Sequence, residues 1–318
     1  MKNVKLRLAI FGAIGLLSSQ AMATGLVALP STGFAVTAGT NQPAGTTAYT
    51  RCNTTGNYGS SAATKPTTGA NNTCAVFPKN INTSPVTGFT IVAAGTATTA
   101  LTGNGGEALA SMSQRLFRNA ANTSCIYGKS FVMSAPTTFD YNASRAGTNA
   151  LEVNDYVFGG FDNTPTVNAG YYYQSTSKSP VFRIGRAYTS VQTHANGANL
   201  HTGYVHRPIN SPSPGLIEIN GVGQVLTPPG PIPTAAQQTA DIRSNWVDFT
   251  TDVTGGPDED NGAIDATSAM MYVQATCTNA APVSLANSVI LRQTGQETQP
   301  WVTIKRAGFA RNGANATP

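Results

Sequence analysis

Charge is scarce in this chain. Asp, Glu, Lys and Arg together make up only 10% of its 318 residues, and past residue 23 no run of Lys or Arg exceeds two. A nucleic acid or an anionic membrane surface requires a basic patch, so no nucleic-acid partner is expected. Other absences narrow the field further. There is no Gly-x-Ser-x-Gly, hence no nucleophile elbow. Gly128-Lys129-Ser130 resembles the end of a phosphate loop, but Thr123 stands where the motif needs its first glycine,. Gly221-Val222-Gly223 lacks the third glycine of a dinucleotide fingerprint and reads as a turn. The glutamates Glu107, Glu152, Glu218, Glu259 and Glu297 show no spacing that singles out a glycosidase pair. No two cysteines lie two to four residues apart, which argues against a cysteine zinc site. No period recurs along the chain, which argues against a solenoid. An enzyme is therefore not the expectation.

Against these absences stands the N-terminus. Lys2, Lys5 and Arg7 precede an apolar stretch from Leu8 to Leu17, and Ala21-Met22-Ala23 has the small-x-small form that a signal peptidase accepts. Residues 1–23 read as an export signal, too short in its apolar part to span a bilayer comfortably. No later apolar run approaches the length of a transmembrane helix, so none is expected in the mature chain. Cleavage removes three of the 19 basic residues and no acidic one, leaving 16 against 14 and a net charge of +2 in place of +5. The apparent basicity thus belongs largely to the targeting segment. The expected address is the periplasm, the outer cell surface or the medium.

All four cysteines, Cys52, Cys74, Cys125 and Cys277, follow the cleavage site. An even number in an oxidising compartment reads as two disulfides. Three connectivities satisfy four cysteines; proximity favours Cys52–Cys74, which leaves Cys125–Cys277. Leu29-Pro30-Ser31-Thr32-Gly33 matches a cell-wall sorting pattern, but that pattern acts near a C-terminus, before an apolar tail, and here the match is chance.

The remaining 295 residues read as one β-rich domain, 24–318, with Thr, Ala, Gly, Asn and Ser dominant. Strand-like segments rich in Val, Ile, Thr, Tyr and Phe recur between turn residues. They include Gly88–Ala93, Ser130–Ser134, Val153–Phe158, Gly170–Ser175, His201–His206, Leu216–Asn220, Trp246–Val253, Ala269–Thr276, Ser288–Gln293 and Trp301–Ala307. Several alternate: Ile217 and Ile219 oppose Glu218 and Asn220, and Val302 and Ile304 oppose Thr303 and Lys305. Such alternation is the antiparallel pattern with one face buried. The expected fold is all-β, an antiparallel two-sheet sandwich or jelly roll with one or two short helices. Leu109, Met112 and Leu116 share a helical face and predict a helix over 107–119. A capping-box pattern predicts a second helix from Thr234. The proline-rich stretch 208–233 reads as a surface loop, or alternatively as an inter-domain crossing.

Three sets of residues are candidate sites. The only histidines, His194, His201 and His206, lie within thirteen residues. If Ala195 pairs with Leu200, His194 lies opposite His201, close enough to share Cu²⁺ or Zn²⁺; His206 joins them only if a bulge near Gly203 corrects its parity. Asp258, Asp260 and Asp265 form an acidic, Gly-flanked cluster that suits a Ca²⁺ loop, although not in the EF-hand register. Tyr171, Tyr172 and Tyr173 occupy one strand, so at least one faces each side, either stacking on sugar rings or filling the core. Finally, residues 24–36 form an apolar N-terminal arm, able to pair within its own domain or to add a strand to a neighbouring subunit. The reading is an exported, disulfide-stabilised, non-enzymatic β-sandwich of the cell surface, matrix or adhesion type, binding an extracellular polymer or itself. The alternatives are a copper- or zinc-binding protein and a polysaccharide-binding or polysaccharide-active one.

Overall fold

The computed structural model describes residues 25–36, 45–52, 66–69, 72–103, 105–137, 140–141, 149–161, 166–173, 181–188, 191–196, 199–206, 242–257, 262, 264–293 and 302–317. Within them the chain is two antiparallel sheets packed face to face. The first sheet runs β1 (Val27–Pro30), β10 (Thr166–Tyr172), β15 (Met270–Thr276), β8 (Ser124–Met133), β7 (Ala108–Asn119) and β5 (Phe89–Ile91), with β6 (Ala97–Thr102) also on β7. The second runs β17 (Val302–Ala310), β16 (Val283–Gln293), β9 (Glu152–Gly159), β14 (Trp246–Thr254), β11 (Arg183–Gly185) and β4 (Tyr49–Arg51). Two small ladders, β2 (Phe34–Val36) with β3 (Gly45–Thr47) and β12 (Val191–Asn196) with β13 (Asn199–His206), complete the set.

Alternation along the strands builds the core. Met112, Leu116, Tyr127, Phe131, Val167 and Val273 from the first sheet meet Tyr156, Phe158, Phe249, Val289 and Leu291 from the second. Phe131 stacks on Tyr156 with ring centroids 4.4 Å apart, and Phe158 packs on Phe249 at 5.3 Å. Each such ring, fully buried, contributes about 1.5–3 kcal/mol.

The disulfides are Cys52–Cys74 and Cys125–Cys277. Cys52 follows β4 of the second sheet, and Cys74 precedes Ala75, which bridges to Tyr171 of the first. This bond therefore staples sheet to sheet across a Cα separation of 4.9 Å. Cys125–Cys277 links β8 to the residue following its neighbour β15, and closes a separation of 152 residues. The N-terminal arm pairs within its own chain: Val27 opposes Ala169, and Leu29, fully buried in the core, opposes Val167.

The segment read as a helix over 107–119 is instead β7, and among the described residues the only helical element is a 3₁₀ turn at Ala93–Gly95. Met112 and Leu116 lie four apart and so share a face in a helix and in a strand alike. The position that distinguishes the two is Gln114, which is buried although polar because its Oε1 accepts the Phe309 N–H at 2.7 Å. Arg118 is buried on the same face, its guanidinium donating to Asn279 Oδ1 and to the Ala280 carbonyl. The glycines at 103–106 form the β6–β7 turn, closed by Gly103 N–H donating to Glu107 O at 2.7 Å, with Gly106 at φ +96°. No helix among the described residues is long and apolar enough to cross a membrane. The export signal 1–23, the stretch 208–233 with its strand Leu216–Asn220, and the helix from Thr234 lie outside the described residues.

Candidate functional site

The histidine hairpin has the register the metal reading requires at its tip. Ala195 pairs with Leu200 and Asn196 with Asn199. The ladder then shifts, so that Thr193 pairs with Tyr204 and Val191 with His206. His194 and His201 both fall where the register is irregular, and His206 stands at the far end of the ladder. Their side chains lie outside the described residues, as do Asp258 and Asp260. Asp265 is half-buried beside Tyr173, whose hydroxyl is pushed up to about 12 by burial and then by the Asp265 charge. Among the described residues no group of three or more His, Cys, Asp or Glu is placed to hold a metal ion.

The tyrosines do not form a surface platform. Tyr171 is fully buried in the core between the sheets, and burial raises its hydroxyl well above the usual range. Tyr172 is half-buried on the opposite face, packed with Val76, Phe117 and Tyr272, and Tyr173 is half-buried against the core. The reason is that β10 is an interior strand covered on both sides. Sheet two lies on one side, and Leu26 with the segment after Cys74 lies on the other.

Three features escape sequence reasoning. The first is a sealed charge cluster on the outer face of sheet two. Arg292 Nη1 lies 3.4 Å from Asp155 Oδ2 and 3.9 Å from Asp248 Oδ2, with all three side chains at 0% exposure. Arg292 Nη2 donates to the Tyr188 carbonyl at 2.9 Å, and the Tyr49 hydroxyl donates to Asp248 Oδ2 at 2.8 Å. Burial, and then the neighbouring Asp155, raise Asp248 well above the usual carboxylate range; Arg292 and the Tyr49 hydrogen bond oppose this. Closed to solvent, the cluster offers no surface to a substrate.

The second is Lys129, buried between the sheets. Its amine donates to the Phe309 carbonyl at 2.9 Å and sits 4.9 Å from the centroid of the Phe158 ring. Burial pushes its pKa down to about 7. Gln114 is its cross-strand neighbour. Together the two side chains supply partners for the N–H and C=O of Phe309 on β17, an edge strand of sheet two, so they close part of an open sheet edge.

The third feature is an open depression of about 550 Å³ over sheet one, lined by Thr68 and by residues between Phe77 and Phe89. The underside of the segment 76–89 is apolar: Val76, Ile81, Val86 and Phe89 pack on Phe117, Ile126, Met270 and Tyr272 of the sheet. Its upper side is fixed by its own polar groups. Asn80 Oδ1 accepts from Asn82 N–H at 2.9 Å and from the Thr83 hydroxyl at 3.2 Å, and the Ser84 hydroxyl accepts from Val86 N–H at 3.1 Å. Arg115 Nε, on the outer face of β7, donates to Asn82 Oδ1 at 2.6 Å and ties this turn to the sheet. The signal for such a site is a cluster of Asn, Pro, Ser and Thr without periodicity, which in sequence reads only as loop.

Fold and geometry define the class: an antiparallel β-sandwich stapled by two disulfides, with sealed interior charges and a rigid loop-built depression on one face. Compared with protein-family profiles, with curated proteins and with solved structures, the chain has no significant match.

Proposed function

We propose that the chain is an exported, non-enzymatic β-sandwich protein of the bacterial cell surface, matrix or adhesion type. The observation that carries this reading is the pair of disulfides, one of which ties the two sheets together; such bonds persist in oxidising compartments. The sealing of the Asp155–Asp248–Arg292 cluster supports a structural or binding role over a catalytic one. The test is fractionation of expressing cells with N-terminal sequencing of the product. A chain beginning at Thr24 outside the inner membrane is expected, and an intact Met1 chain confined to the cytoplasm overturns the reading. Self-association through residues 24–36 is tested by light scattering of the mature chain over a wide concentration range; a monomer throughout removes it.

A second reading, a Cu²⁺ or Zn²⁺ site built on His194 and His201, is favoured by the Ala195–Leu200 register; that register does not bring in His206, which pairs with Val191. Calorimetric titration with each metal tests it, and an unchanged affinity in His201→Ala eliminates the site. A Ca²⁺ loop at Asp258, Asp260 and Asp265 predicts a higher melting temperature in millimolar calcium, an increase that Asp260→Ala abolishes.

A further inference from the structure

We propose that the depression over sheet one binds a carboxylated sugar unit of an acidic polysaccharide. Phe77 is the one aromatic among the exposed large hydrophobics of the described residues, 40% exposed, and it lines the depression. An exposed ring on a rigid loop matches the apolar C–H face of a pyranose, in the way that aromatic side chains pair an apolar body with a polar surround. Lys79 lies on the same lining, is exposed, and makes no ion pair among the described residues. The hydroxyls of Thr83 and Ser84 are engaged within the loop. Those of Thr68 and Thr87, on the rim, make no hydrogen bond within the protein among the described residues and are available to ligand hydroxyls.

The charge distribution selects an anionic ligand. No acidic residue occurs before Glu107, while Arg51, Lys65 and Lys79 lie between Thr24 and Gly106. From Glu107 onward the chain holds all 14 acidic residues against 13 basic ones. The depression therefore lies in a segment of one sign, and its only charged lining residue is a cation. A neutral sugar leaves Lys79 unused, and a bare anion leaves Phe77 unused; a hexuronate uses both. With no carboxylate in the lining there is no acid–base pair for hydrolysis, so the site binds without cleaving. Its volume falls in the usual range of small-ligand sites, ~300–1,000 Å³. Single-site affinity is expected to be weak, and a repeating polymer engaging several molecules on a surface multiplies it. The inference rests on the surface or matrix reading only for where such a polymer is met; the binding itself is a property of the purified mature chain.

Calorimetry of that chain with oligogalacturonate and with oligoguluronate tests the proposal, with dextran as the neutral sugar and polyglutamate as the carboxylate without a sugar. Binding to at least one uronate is expected, with dextran and polyglutamate far weaker. Phe77→Ala is expected to weaken uronate binding about tenfold, and Lys79→Gln about threefold to fivefold together with a flatter salt dependence. Both residues are exposed, so melting curves of the variants should overlay the parent. Absence of binding to either uronate at millimolar concentration, equal binding of polyglutamate, or an unchanged affinity in Phe77→Ala overturns it. A chain that proves cytoplasmic yet binds uronate loses the surface reading and keeps this one.

Discussion

Lys129 and the Asp155–Asp248–Arg292 cluster are both closed to solvent, and they accommodate buried charge in opposite ways. On the outer face of sheet two, opposite charges stand together, with a tyrosine hydroxyl and a carbonyl as further hydrogen-bond partners. Between the sheets, Lys129 has one carbonyl and one ring face, and it meets the cost of burial by lowering its pKa to about 7. The cluster joins β9, β14, β16 and β4 through ionic groups whose individual loss is costly. The lysine joins β8 to β17 through a group whose charge is itself the cost. Removing charge should therefore weaken one place and relieve the other.

The largest effect is expected at Arg292. Arg292→Met keeps much of the volume but leaves two carboxylates buried without their cation, and removal of one partner from a buried ion pair costs about 3–5 kcal/mol. Urea unfolding of the variant should show that loss as a lower midpoint at unchanged slope. A loss under about 1 kcal/mol would mean that the carboxylates share a proton and need no arginine.

The next effect is one of pH. A lysine titrating near 7 when folded and near 10.5 when unfolded binds fewer protons in the native state between those values. Stability therefore rises with pH across that window, by at most about 1.4 kcal/mol per pH unit, and this relief is lost as pH falls back through 7. Lys129→Met lacks the group, so the difference between parent and variant should change steadily from pH 7 to 10 and level off below 7. Parallel curves would show that the amine titrates normally and that the core admits water beside it.

Much of the fold is legible in the sequence because it rests on period-two alternation. Trp246–Val253, Ala269–Thr276 and Trp301–Ala307 coincide closely with β14, β15 and β17, and of the three possible cysteine pairings the one formed is the one that sequence proximity favours. What is hidden is polar groups placed where alternation predicts apolar ones. Gln114 makes β7 look helical because the residue that should reveal the strand is hydrophilic. Asp155, Asp248 and Arg292 alternate with Tyr156, Phe249 and Leu291, so each reads as the wet side of its strand. Only the sheet order, which sets β16, β9 and β14 side by side, shows that their charges meet. Tyr171 is a related case, since alternation assigns a residue to a face without saying whether that face is covered. The depression at Phe77 is loop-built and leaves no periodic trace.

The smallest effect is expected at Tyr49, and it tests whether the cluster is ionised as a unit. Tyr49→Phe removes only the hydroxyl that donates to Asp248 Oδ2 at 2.8 Å. The loss should be about 1–3 kcal/mol, the cost of leaving a buried acceptor without its donor. It should also depend on pH with a definite sign. The hydroxyl stabilises the ionised carboxylate and so holds the Asp248 pKa below the value that burial and Asp155 alone would impose. Without it the native-state pKa rises further above the unfolded value. A raised native pKa stabilises the fold at low pH, and that contribution is lost as pH rises through it. The variant should thus lie closest to the parent in acid and fall away from it as pH rises through the range in which the native carboxylate of Asp248 ionises. Chemical denaturation at a series of pH values from 4 upward reads this directly. A pH-independent difference would mean that Asp248 keeps one protonation state throughout, with Tyr49 serving as a neutral hydrogen-bond donor and Arg292 paired chiefly with Asp155.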